Sequence, residues 1–100
     1  MMNHEISVAQ RKRIRGHILK ILEMTHPTAT FESAIAGALI QRGLMASPDI
    51  AVYTDYLLGK GYIASVGHPD EYGIGETLLK LTPAGVDLLE DTIQDPGVEV

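Results

Sequence analysis

The densest set of chemically capable side chains in this 100-residue chain is Arg11-Lys12-Arg13-Ile14-Arg15, four cations within five positions. Such a run suits contacts to phosphate, because a guanidinium can hold two parallel hydrogen bonds to an anion while an ammonium acts as a point charge. It equally suits a solvated helix face or a site for an acidic protein, and residue type alone does not separate the three. Carboxylates gather elsewhere. Asp49 and Asp55 lie mid-chain, and Asp70-Glu71 sit side by side in a turn-rich stretch where acid–base work is not expected. His4, His17, His26 and His68 are scattered, without the i, i+4 pairing of a zinc helix. Cysteine is absent, and neither a Gly-x-Ser-x-Gly elbow nor a phosphate-loop signature occurs. Gly73-Ile74-Gly75 reads as turn chemistry. The expectation is a binding protein that is not an enzyme, with no metal and no cofactor.

Charge is divided by position. Residues 1–46 hold six Lys/Arg against three Asp/Glu, net +3, whereas 47–100 hold two against ten, net −8. An anionic partner would therefore meet the first half. The length suits one core, so a single domain over 1–100 is expected, with 1–6 and 95–100 as frayed tails. The absence of cysteine suits a reducing compartment. Met-Met-Asn-His-Glu lacks the layout of a signal peptide, and no apolar run approaches membrane-spanning length. A cytoplasmic protein without membrane contact is expected.

The elements that must position these groups are marked by caps and breakers. Ser7 with Gln10 has capping-box spacing, and Ile14, Ile18, Ile21 and Leu22 repeat at helical intervals, predicting a helix over 8–24 that stops at His26-Pro27. A second helix fits 31–42, capped by Thr30 and ended by Gly43. Its small stretch around Gly37 suggests that another backbone passes close by. Ser47-Pro48 starts a third helix over 48–60. Ile50, Tyr53, Thr54, Leu57 and Leu58 then fall inward, and Asp49, Val52, Asp55, Tyr56 and Lys60 fall outward. Gly59 and Gly61 end it. Strands over 62–66 and 77–81 flank a long turn, and Thr82-Pro83 opens a last helix to about residue 93. Ile18, Ile21, Leu39, Ile50, Leu57, Ile63, Leu79, Leu81 and Leu89 are the expected core.

Leu57-Leu58-Gly59-Lys60-Gly61-Tyr62-Ile63, a Gly-rich loop, Thr77-Leu78-Leu79-Lys80-Leu81 and Thr82-Pro83-Ala84-Gly85-Val86-Asp87-Leu88-Leu89 together resemble the second half of a winged-helix domain. The order α-α-α-β-β-α extends the resemblance over almost the whole chain, implying a mainly α fold with a small β-hairpin wing. In that superfamily the third helix usually enters the DNA major groove and the wing contacts the backbone. The resemblance thus implies a small transcriptional regulator on double-stranded DNA. Arg11, Lys12, Arg13, Arg15, Val52, Tyr56 and Lys60 are the candidate contacts, and 68–75 is the wing tip. The residues on the expected reading face argue for an alternative. Asp49, Asp55, Tyr56, Asp70 and Glu71 would suit a protein-interaction adaptor with a basic partner. In either case a homodimer through Val86, Leu89 and Ile93 is expected.

Overall fold

A computed structural model describes residues 6–66 and 77–100. The first helix, α1 (Val8–Thr25), begins where Ser7 accepts the Gln10 amide at 3.1 Å, as the cap predicts. The Gln10 side chain does not close a capping box. It reaches instead to the Leu44 carbonyl at 3.3 Å and ties α1 to the loop after the second helix. Ile14, Ile18, Leu19, Ile21 and Leu22 make the inner face of α1 and are buried.

The expected order lacks one element. Thr30–Phe31 form a short strand, β1, paired with the strand β3 (Leu78–Leu81) in the register Thr30↔Leu79 and Phe31↔Leu78. Thr30 therefore does not cap a helix, and its hydroxyl lies 2.7 Å from that of Thr25. The second helix, α2 (Glu32–Gln41), starts from Phe31 without a side-chain cap and ends before Gly43 at φ +72°. A cis His26–Pro27 bond lies between α1 and β1.

The third helix, α3 (Ala51–Lys60), starts three residues later than Ser47-Pro48 predicts. Ser47 Oγ accepts the Asp49 amide and Asp49 Oδ1 accepts the Ala51 amide, each at 3.2 Å. These local turns satisfy donors that a longer helix would have needed to place, so they hold the segment outside the helix. Gly61 at φ +79° ends α3 in the left-handed region, and Gly59 lies within the helix. Thr54, buried on the inner face, donates to Ile50 O and Ala51 O.

Strand β2 (Ile63–Val66) pairs antiparallel with β3 from Ile63↔Leu81 to Val66↔Leu78, which completes a three-stranded sheet in the order β1-β3-β2. The last helix, α4 (Pro83–Leu89), opens as predicted, with Thr82 accepting the Gly85 amide at 3.2 Å and Pro83 in the first turn. It ends four residues early. Asp91 adopts φ +61° and the Thr92 amide returns to Asp87 O at 2.8 Å, a Schellman-type stop. Helix α1 packs against α2, α3, α4 and β3. Eight of the nine expected core residues are buried, and at the ninth place Leu88 is buried while Leu89 is only half-buried. Mainly helical, with a small antiparallel sheet, the layout is compatible with a winged helix.

The C-terminal segment departs most from expectation. Residues 95–100 are not frayed. Val98 joins the core at 4 % exposed, and the Glu99 amide donates to the Lys12 carbonyl at 3.0 Å. Gly16 in α1 permits this approach, because a Cβ there would overlap the Glu99 carbonyl. By contrast Gly37, where a passing backbone is expected, has no atom of the described residues within 4 Å of a Cβ position. The wing tip 68–75, with Asp70 and Glu71, lies outside the described residues, as do residues 1–5 at the other end.

Candidate functional site

At 100° per residue the cations of the Arg11-Lys12-Arg13-Ile14-Arg15 run leave α1 in different directions. Arg11 and Arg13 are exposed on different sides, and Lys12 and Arg15 are half-buried. Arg15 is committed to the C-terminal segment. Its Nη1 donates to Gly97 O at 3.0 Å, and its guanidinium lies 3.8 Å from the centroid of the Tyr56 ring. Its Nε is buried with no hydrogen-bond partner among the described residues. Tyr56 is thereby half-buried rather than an exposed anchor, and a Cβ on Gly97 would collide with its hydroxyl. Lys60 pairs with Asp95 at 3.6 Å and stands 5.7 Å from the Tyr56 centroid. Three of the seven candidate DNA contacts are thus drawn into one intramolecular latch.

Asp95 is the centre of that latch. It accepts from the Tyr62 hydroxyl at 2.6 Å and from the Gly97 amide at 2.8 Å. The Tyr62 hydrogen bond, aided by the Gly97 amide and Lys60 and opposed by burial, holds the Asp95 carboxyl below its ordinary range. The same hydrogen bond, with burial and the Asp95 charge, pushes Tyr62 up to about 12. The two shifts define a pH window. Asp95 contributes stability that is complete above its unfolded pKa of about 3.9 and is lost as pH falls through the lower native value. Tyr62 contributes stability that is complete below about 10 and is lost as pH rises through its native value. Tyr62→Phe is expected to cost about 1.5–3 kcal/mol at neutral pH, the range for a hydrogen bond to a charged group. Thermal midpoints measured across pH should also decline less steeply for this variant at both edges, and parallel curves for parent and variant would refute the latch.

Helix α3 keeps a free face of Ala51, Val52, Asp55, Leu58 and Gly59. Val52 is 69 % exposed. Asp49 accepts the Ala51 amide in the turn before this helix, and Ile6, Arg11, Asp49, Val52 and Tyr53 line a shallow notch of about 450 Å³. The face is apolar with carboxylates beside it, and Arg11 is the cation that reaches its rim.

A second surface escapes a reading by sequence proximity. Arg13, His17, Lys20 and Met24 recur at i, i+4, i+7 and i+11, one stripe of α1. Arg42, just past α2, reaches this stripe, with Nη1 3.0 Å from His17 Nδ1 and Nη2 3.7 Å from the Met24 sulfur. Because arginine only donates, His17 Nδ1 accepts and the ring is neutral with its proton on Nε2. Burial, then Lys20, Arg42 and Arg13, lower the His17 pKa, and Glu99 opposes them. Among the described residues the one ion pair within 4 Å is Lys60–Asp95, so none of Arg13, Lys20 and Arg42 is paired with a carboxylate there. Beside them runs a groove of about 580 Å³, lined chiefly by Ile21, Met24, Ala34, Ala38 and Gln41 with Arg42 at its edge.

Of the residues expected to form a dimer, Val86 and Leu89 are half-buried against the core, and Ile93 is 38 % exposed. Among the described residues no helix is long and apolar enough to cross a membrane, and no cluster of His, Asp and Glu could hold a metal. Comparison of the chain with protein-family models, with curated proteins and with solved structures gave no match.

Proposed function

We propose that this chain is a winged-helix-type domain serving as a protein-interaction module, with the α3 face as its docking surface for a basic, apolar partner segment. The observation that carries the reading is Val52, 69 % exposed on a helix face flanked by Asp49 and Asp55. Arg15 and Lys60, the cations that could have offset those carboxylates, are spent in the C-terminal latch. DNA affinity rests on neutralising phosphates, whereas a carboxylate about 4 Å from a phosphate costs on the order of 1 kcal/mol in water and more when desolvated. Exposed apolar surface ringed by charge is instead the make-up of a protein contact.

The test is binding with two probes. A labelled peptide rich in lysine with a leucine anchor should bind the parent chain, and Val52→Ser or the pair Asp49→Asn and Asp55→Asn should weaken it about tenfold. Asparagine at position 49 keeps an oxygen that can accept the Ala51 amide, so the turn before α3 is preserved. A labelled random duplex should not bind at ~50 mM salt, where counterion release most favours association. Retention of the duplex, with loss on replacing Arg11 and Arg13 by alanine, would overturn the proposal in favour of DNA binding.

A further inference from the structure

The groove between α1 and α2 combines three properties. Its floor is apolar, from Ile21, Ala34 and Ala38, and its volume of about 580 Å³ has room for several apolar side chains. Its α2 side is low, because Ala34, Ala38 and Gln41 line it at i, i+4 and i+7. Its rim carries Arg42, and Lys20 and Arg13 extend the positive charge along the adjoining stripe of α1, outside the groove lining. Arg42 is braced by a neutral imidazole and a thioether, so it is held in place without losing its charge. The nearest acidic groups lie at the margins: Glu23 stands about 60° around α1 from Lys20, and Glu32 begins α2 at the end of the groove away from Arg42. Glu99 is the one carboxylate that acts on His17. Met24, 75 % exposed, offers an adaptable apolar edge.

We propose that this groove docks an acidic amphipathic segment of a partner protein, its apolar side chains on the floor and its carboxylates toward Arg42, Lys20 and Arg13. The charge of the rim selects an acidic occupant. The apolar floor selects against a bare polyanion, which has nothing to bury there. None of these residues belongs to the α3 face, so this site stands or falls separately from the function proposed above.

The experiment measures anisotropy of a labelled synthetic helix carrying leucine along one stripe and glutamate elsewhere, titrated with the full chain. Binding is expected, about tenfold weaker with Arg42→Glu and about tenfold weaker with Ala34→Tyr, which fills the groove from an exposed position. Circular dichroism and thermal midpoints matching the parent establish that both variants fold, and Lys20→Glu replaces either that does not. A control peptide with serine in place of leucine should lose binding. Failure of the leucine peptide to bind, equal binding by the serine peptide, or indifference to both variants would overturn the proposal. So would displacement by a random duplex, which would make nucleic acid the occupant. Sedimentation of the parent as an oligomer that Arg42→Glu dissolves would overturn it in favour of a second copy.

Discussion

Leu57→Ala is expected to remove about 2–5 kcal/mol of stability, because it deletes a leucine at 0 % exposure and leaves a cavity that the neighbours can fill only in part. Leu57 lies where α3 packs on α1 and turns into the sheet, its carbonyl accepting the Tyr62 amide at 3.1 Å just before β2 begins. That backbone bond survives the substitution, so the loss is one of packing. In a domain of this size each kcal/mol moves the thermal midpoint by about 4–8 °C, and the whole of native stability is about 5–15 kcal/mol. The variant should therefore melt at least about 8 °C below the parent. Leu58→Ala is the internal control. At 37 % exposed it should cost far less, although helical phase alone groups Leu58 with the inward residues. Superimposable unfolding curves for parent and Leu57→Ala would refute the core assignment.

Gly16→Ala should release the C-terminal segment. A Cβ at this position overlaps the Glu99 carbonyl and comes within 3.3 Å of the Val100 amide nitrogen, both backbone atoms that cannot rotate away. Either α1 shifts or residues 95–100 lift. Overpacking of this kind costs about 1–3 kcal/mol. Lifting also exposes Val98 and frees Arg15, Tyr56 and Lys60. The Glu99 amide, bonded to Lys12 O, reports the change directly. Its hydrogen exchange should accelerate well beyond the shift in global stability, and unchanged protection in a folded variant would sink the account. Gly37→Ala should behave oppositely. Its Cβ meets open space in a helix interior, so alanine should stabilise by about 0.5–1 kcal/mol.

These two glycines show where a sequence is readable and where it is not. Gly37 attracts notice because it interrupts a helical pattern, yet nothing among the described residues passes it. Gly16 lies in the cation-rich first half of α1 and gives no local sign that residue 99 will arrive there. Ser7, Gly61 and Thr82 act within a few residues of themselves, and the elements they bound are legible. Strand β1 is two residues long, too short to display an alternation, and exists because β3 offers it partners. The C-terminal latch is hidden for the same reason, since Asp95, Gly97 and Val98 find their partners on α1, on α3 and at Tyr62. The cationic groove is a subtler case. Arg13, His17 and Lys20 share a stripe that helical period reveals, whereas adjacency draws the eye to Arg11-Lys12-Arg13-Ile14-Arg15 and away from it. Arg42 lies just past the end of α2, and only the packing of α2 on α1 brings it to His17.

The strand order has a consequence for how the chain is made. Among the described residues β1 and β2 each pair with β3, which lies between them and comes last of the three in sequence. A nascent chain that has emerged as far as Val66 therefore holds two segments with ladder groups to satisfy and no partner for either. Synthesis of Leu78–Leu81 supplies both partners at once, and the C-terminal segment then closes on α1, so the sheet forms late and in one step. Until that point the side of α1 that packs on β3 lacks its partner and the edges of β1 and β2 stay unpaired, the kind of edge that invites pairing with another chain.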